Sequence, residues 1–319
     1  MSSASPMRAL VDSYLAYRRQ MGYQLTIEGQ QLYCFARFAD DATHRGPLTH
    51  DLAVGWARAP TAKRTPSLLT SARRIEVLIG FARFHQQFEA DTAIPQRHLF
   101  GQAHRRLLPH IYSHTEIIDL LDACQTLYPA GGLRGAACRT IFGLLAATGM
   151  RISEATSLQQ QDVNLDTGVL EVRDTKFSKS RWVPLHASVT KQLHAYSIER
   201  NNVYKSAAHA QFFIGDYGRA LTTRSVRNAF KLIRTQLGWK ARGDHTYPRV
   251  HDLRHRFICN TIQRWYNEEV DIDSRILSLS TYVGHVHVSD TYWYLTATPE
   301  LMSRAAQRFI ALTSRESAE

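Results

Sequence analysis

Residues 169–185 read VLEVRDTKFSKSRWVPL. Val169–Val172 and Arg181–Leu185 carry the β-branched and aromatic residues of short strands. The polar, basic stretch between them, RDTKFSKS, predicts a long hairpin tip, and Asp166-Thr167-Gly168 supplies the turn before the first strand. The flanking sequence is helical in pattern. Upstream, a helix starts at Ser113 or Thr115, with Glu116 in its first turn and Ile117, Leu120 and Leu121 apolar; a second runs from about Arg134 to Ala147. Downstream, Gln211–Ile214 adds one short extended piece, and helical patterns run from about Ser188 to the C-terminus. One small antiparallel sheet set among helices makes the chain mainly α.

The first hundred residues contain no strand signal. Leu10, Val11, Tyr14, Leu15 and Arg18 line one helix face, and Leu32, Phe35, Ala36 and Ala39 a second. Ile75, Leu78, Ile79 and Ala82 line a third, with Phe88 continuing it. The aperiodic segment PQRHLFGQAHRRLLPHIYS, 95–113, separates this bundle from the rest. The expected domains are 1–106, a helical bundle, and 107–319, mostly helical with the small sheet.

Charge narrows the partners. The 319 residues hold 39 Lys or Arg against 28 Asp or Glu, a formal net charge of +11, and 32 of the cations are Arg. That balance suits a polyanion, and the guanidinium fork matches phosphate oxygens in two places. Residues 1–108 carry 14 cations against 8 carboxylates, and residues 219–256 carry 10 against 2. The N-terminus has no signal-peptide pattern, and the longest apolar run, Ile141–Met150, is far short of the ~20 residues of a membrane span. Cys34, Cys124, Cys138 and Cys259 are scattered, as in a reduced cytoplasmic protein, and form no zinc or disulfide framework.

Five segments concentrate chemistry-bearing residues: ATGMRISE (147–154), TKFSKSRWVPL (175–185), HDLRHRF (251–257), YVGH (282–285) and VSDTYWYL (288–295). They supply Arg151, Lys176, His251, Arg254, His285 and Tyr294. In this order the set resembles the catalytic signature of the tyrosine recombinase (phage integrase) family over roughly residues 110–310. The resemblance implies a mostly helical integrase-like catalytic domain with a small antiparallel sheet. By analogy of position and size, it also implies an N-terminal core-binding bundle of the SAM-like type. The resemblance thus makes 1–106 the DNA-binding domain and 107–319 the catalytic one. The family's first Arg, after a T-G motif and three residues before a Glu, falls on Arg151 with Glu154. Its hairpin Lys falls on Lys176, with Lys179 as the rival, and its H-x-L-R-H box on His251, Asp252, Leu253, Arg254 and His255. Its G-H box falls on Gly284-His285. Its nucleophile, nine residues later, is Tyr294, with Tyr292 the rival; Thr291 stands where the family often has Thr.

The residue types suit that chemistry. Attack on a phosphodiester builds negative charge on the non-bridging oxygens, which positioned arginines stabilise in a partly dry site. A phenol with its ordinary pKa near ~10 is a poor nucleophile at neutral pH, so nearby cations or a proton-accepting His must assist. Lys176 suits protonation of the leaving oxygen, while Glu154 and Asp252 suit orienting arginines or capping helices. His255 suits packing, as does Trp293.

The resemblance further implies double-stranded DNA as partner, a tetramer of protomers in the synapse, and possible accessory recombinases. It implies no metal, no cofactor and a cytoplasmic, nucleoid-associated, prokaryotic setting. Thr291–Thr298 suggests a transposon-borne subgroup. The apolar stripe Leu301, Met302, Ala305, Phe309 and Leu312 predicts a last helix that packs on its own domain or on a neighbouring protomer. Three other readings remain open here: a type IB topoisomerase-like relaxing enzyme, an inactive DNA-binding regulator, and a metal-dependent nuclease built on His251, His255, His285 and His287.

Overall fold

The computed structural model describes all residues except 1–5, 62–63, 105, 174–179, 205–209, 269, 297–301, 304–305, 308–309 and 311–319. The chain divides into two compact units, Met1–Arg106 and Leu107–Glu319.

The first unit is a helical bundle of α1 (Pro6–Gln20), α2 (Thr26–Asp41), α3 (His50–Arg58) and α4 (Leu68–His85). Val11, Tyr14 and Leu15 of α1 meet Leu32, Phe35, Ala36 and Ala39 of α2 and Ile75, Leu78, Ile79 and Phe81 of α4 in one core. Helix α3 was not expected from the sequence. Thr49 caps it by accepting from the Leu52 N–H, and Leu52, Ala53, Trp56 and Ala57 are its buried face. Phe88 does not continue the α4 stripe. The helix stops at His85, and Phe88 lies in the following turn, 69% exposed.

The second unit holds α5 (His114–Ala123), α6 (Leu133–Thr148), α7 (Ile152–Ser157), α8 (Ala187–Val203), α9 (Thr223–Gln236), α10 (Asp252–Asn267), α11 (Ile272–Val283) and α12 (Ser289–Tyr292). Ser113 and Glu116 close a reciprocal capping box at the start of α5. Helix α6 is apolar nearly all round, the pattern of an interior helix, and packs against α5, α8 and α10. Its Ile141, Phe142 and Leu144 are at most 1% exposed, each burial giving about 1.5–3 kcal/mol.

The sheet runs β1-β2-β3, antiparallel throughout, with β1 at Val163–Asn164, β2 at Val169–Val172 and β3 at Arg181–Pro184. Leu170 pairs with Val163 on one side and Val183 on the other, so the inward face is apolar. Gly168, at φ +67°, makes the turn into β2. Strand β1 went unpredicted because two residues carry no period. The hairpin tip with Lys176 and Lys179 lies outside the described residues, as does most of the predicted C-terminal helix.

Three junctions position the site. Gly149 ends α6 at φ +63°, where a Cβ would come 2.5 Å from the Phe257 ring. Gly284 ends α11 in the same left-handed region, at φ +72°. Tyr112, 2% exposed, pins the start of α10: its hydroxyl donates to the Arg249 carbonyl, and its own carbonyl accepts from Arg256 Nε.

Candidate active site

The C-terminal end of α11 presents carbonyls that have no partner within the helix, and arginines from three distant segments take them up. Arg151, between α6 and α7, donates from Nη2 to the Gly284 carbonyl at 2.7 Å. Arg254, in the first turn of α10, donates from Nη1 to the carbonyls of Val283 (2.7 Å) and Gly149 (2.8 Å). Arg181, first residue of β3, donates from Nε to the Tyr282 carbonyl at 2.9 Å and from Nη2 to that of Val283 at 3.3 Å.

Glu154 sits among these cations. Its carboxylate accepts from Arg151 Nη1 (2.8 Å), from the Arg151 N–H (2.8 Å), and from both terminal nitrogens of Arg181 (3.2 and 2.8 Å). Burial pushes the Glu154 carboxyl up, but the Arg181 and Arg151 guanidinium groups overrule it and hold the carboxyl below its ordinary range. Glu154 therefore seats Arg151. Arg181 is the residue sequence reading missed: it was visible only as part of a strand, and its partners lie 27 and about 100 positions away.

Arg254 differs from the other two. It is 3% exposed, and its Nη2 is buried with no hydrogen-bond partner among the described residues. Burial, then the Arg151 charge, lowers its pKa to about 10, so it stays protonated at neutral pH. An unsatisfied buried guanidinium nitrogen is costly unless an anion occupies the site.

Three histidines complete the cluster, and all are neutral. Burial first, then surrounding positive charge, lowers His251 to about 4, His255 to about 2 and His285 to about 3. His251 is the N-cap of α10, one residue short of the helix expected to carry it, and its ring meets His255 edge-on at 4.9 Å. Asp252 is fully buried and pairs with Arg249 at 2.6 Å, capping this end.

Tyr294 lies in the 3₁₀ turn Trp293–Thr296 and is 3% exposed. Its hydroxyl is hydrogen-bonded to His255 Nδ1 at 2.7 Å, its ring stacks on His285 at 6.1 Å, and Trp293 flanks it edge-on at 4.9 Å. Thus His255, expected to brace packing, contacts the phenol itself. Tyr292 is elsewhere: it is 42% exposed, and its hydroxyl donates to Asp273. The structure therefore brings together Arg151, Glu154, His251, Arg254, His255, His285 and Tyr294, and leaves Asp252 and Tyr292 at the margin. Among the described residues, no three His, Cys, Asp or Glu side chains are grouped to hold a metal ion.

Residues 111–300 match the description of the phage integrase family. This chain belongs to that family. An integrase/recombinase of Sinorhizobium fredii, y4rB, is 37% identical over 310 residues, covering 95% of this chain and 97% of that protein. Among solved structures, the chain superposes on the XerH site-specific recombinase bound to palindromic difH substrate. The TM-score is 0.64 at 19% identity, with 87% of this chain and 77% of XerH covered. It also superposes on a lambda integrase tetramer bound to a Holliday junction, with TM-score 0.61 at 14% identity and 91% and 78% of the two chains covered. At these identities the structures establish the fold: a mainly helical phage integrase family fold with a three-stranded antiparallel sheet. As a family member the chain is a site-specific tyrosine recombinase, a DNA-breaking and DNA-rejoining enzyme.

Proposed function

We propose that Tyr294 of this family member cleaves double-stranded DNA and holds it as a 3′-phosphotyrosine during integration, excision or transposition of a mobile element. The observation that carries the reading is the 2.7 Å hydrogen bond between the Tyr294 hydroxyl and the neutral His255, beside a buried Arg254 with an unused donor. The phenol oxygen attacks phosphorus and its proton passes to His255 Nδ1. Charge developing on the non-bridging oxygens meets Arg254, Arg151, His251 and His285. The bond to the 5′ oxygen breaks, and Lys176 protonates that oxygen. Attack by the freed 5′ hydroxyl reverses every step. One phosphodiester-level bond replaces another, so the exchange needs no high-energy cofactor.

DNA binding is assigned to two basic surfaces, the first unit and residues 219–256, where Arg224, Arg227 and Lys231 line the exposed face of α9. Paired strand exchange requires four protomers around one Holliday junction, acting in the cytoplasm on the nucleoid. No helix among the described residues is long and apolar enough to cross a membrane.

The test is a pair of supercoiled plasmids, one carrying the repeats that flank the chain's own gene and one without them, both in EDTA. Recombination confined to the first supports the reading. Catalytic relaxation of the second marks a topoisomerase-like enzyme, and loss of all cleavage in EDTA marks a metal-dependent nuclease. Lys176→Ala slows cleavage of a normal phosphodiester, and a 5′-bridging phosphorothiolate restores it if Lys176 is the proton donor.

A further inference from the structure

Thr291 is fully buried on α12, three residues before Tyr294. Its Oγ1 lies 2.6 Å from His285 Nδ1, a short contact for a neutral hydroxyl and an imidazole. The same His285 ring stacks on the Tyr294 ring at an interplanar angle of 13°. Thr291 thus joins the element that carries the phenol to the histidine that faces it.

A neutral imidazole carries one proton, and the partner of one nitrogen decides what the other can do. If Nδ1 kept the proton and donated it to Thr291, Nε2 would be a bare lone pair. Beside a phosphate oxygen, that lone pair repels. If the hydroxyl donates to Nδ1, Nε2 keeps the proton and can donate to the phosphate. Among the described residues, His285 Nδ1 is the partner the Thr291 hydroxyl has. The β-branched side chain restricts χ1, and full burial leaves no water to compete for the bond.

We infer that Thr291 is a positioning residue for the recombination reaction: its hydroxyl donates to His285 Nδ1 and fixes the tautomer whose Nε2–H serves the scissile phosphate. The inference rests on the Tyr294 reading and adds a role to a fully buried residue whose hydroxyl bonds to His285. Thr291→Val keeps the shape and removes the donor; Thr291→Ser keeps the donor.

The first measurement needs no variant. In wild-type protein labelled with ¹⁵N-histidine, the His285 ring shifts should show Nε2 protonated and Nδ1 bare; a protonated Nδ1 overturns the inference. The second is a double-mutant cycle on single-turnover cleavage. Thr291→Val should slow cleavage roughly tenfold or more with unchanged DNA affinity, while Thr291→Ser stays within about threefold of wild type. In a His285→Ala background, Thr291→Val should cost nothing further. An equal loss in both backgrounds means that Thr291 acts by packing, and overturns the inference. Failure of the underlying reading looks different: Tyr294→Phe would then still cleave.

Discussion

Replacing Arg181 with methionine tests how the site is held together. Glu154 has 6% of its side chain exposed and Arg181 11%, so water cannot take the place of a lost partner. The substitution deletes two hydrogen bonds to the carboxylate, the Nε bond to the Tyr282 carbonyl and the longer Nη2 bond to the Val283 carbonyl, which Arg254 still serves. Removing one partner of a buried ion pair costs about 3–5 kcal/mol, because the remaining charge stays buried. Arg151 still holds Glu154 Oε1, which places the loss near the lower end, about 3 kcal/mol. The orphaned Tyr282 carbonyl adds about 1 kcal/mol. The total of about 4 kcal/mol corresponds to a fall of about 8–16 °C in the melting temperature of a unit of roughly 200 residues. Calorimetry of wild type and Arg181→Met at pH 7 measures it. Adding Glu154→Gln removes the stranded charge and should return at least half of the loss. The pH dependence has a definite sign. The Glu154 pKa is depressed in the folded wild type, so its contribution is full above the unfolded carboxyl range and is lost as pH falls through the folded value. The gap between variant and wild type should therefore narrow on acidification. A loss below about 1 kcal/mol at pH 7, or a double variant no more stable than Arg181→Met, would refute the buried-pair reasoning.

Other outcomes follow from the same contacts. His251, His255 and His285 have folded pKa values far below 6.5, so the unfolded chain binds protons first and stability falls as pH drops from about 6.5 toward 4. The slope is up to about 1.4 kcal/mol per pH unit for each histidine. Urea titrations at pH 7, 6 and 5 should show it, His255→Asn should flatten it, and a level profile would contradict the burial argument. DNA affinity should fall steeply with salt, and alanine at Arg224, Arg227 or Lys231 should each reduce the log–log slope by about 1. Unchanged slopes would remove α9 from the DNA surface. Gly149→Ala forces a side chain into the left-handed region against Phe257 and should cost at least about 2 kcal/mol. It should also slow cleavage more than it weakens DNA binding, since the Gly149 carbonyl holds Arg254.

Local rules made much of this legible. The start of α5 at Ser113 with Glu116 in its first turn, the apolar stripes of α1, α2 and α4, and the two strands around the hairpin each follow from a few neighbouring residues. What escaped depends on distance or brevity. Strand β1 has two residues and exists because β2 lies beside it. Helix α3 has a readable cap but only nine residues, three of its buried-face partners being alanine or tryptophan that pack equally well in a loop. Phe88 lies three residues beyond the end of α4 and off the line of its stripe, so no helical packing holds it. At the site, Arg151, Arg254, His285 and Tyr294 were legible through their resemblance to the family's ordered signature. The roles of Arg181 and His255 are set instead by segments that meet across 27 and 39 positions. The sequence pattern marks His255 for packing; the fold places its Nδ1 on the Tyr294 hydroxyl.

The central claim is that Tyr294 forms the covalent bond to DNA. A nicked duplex, chosen from sequences the protein binds in solution, traps the covalent complex because the cleaved end diffuses away. Proteolysis and mass spectrometry then locate the nucleotide adduct. The account predicts the adduct on Tyr294, and for Tyr294→Phe full DNA binding with no covalent complex. An adduct on Tyr292, or a covalent complex formed by Tyr294→Phe, would contradict it.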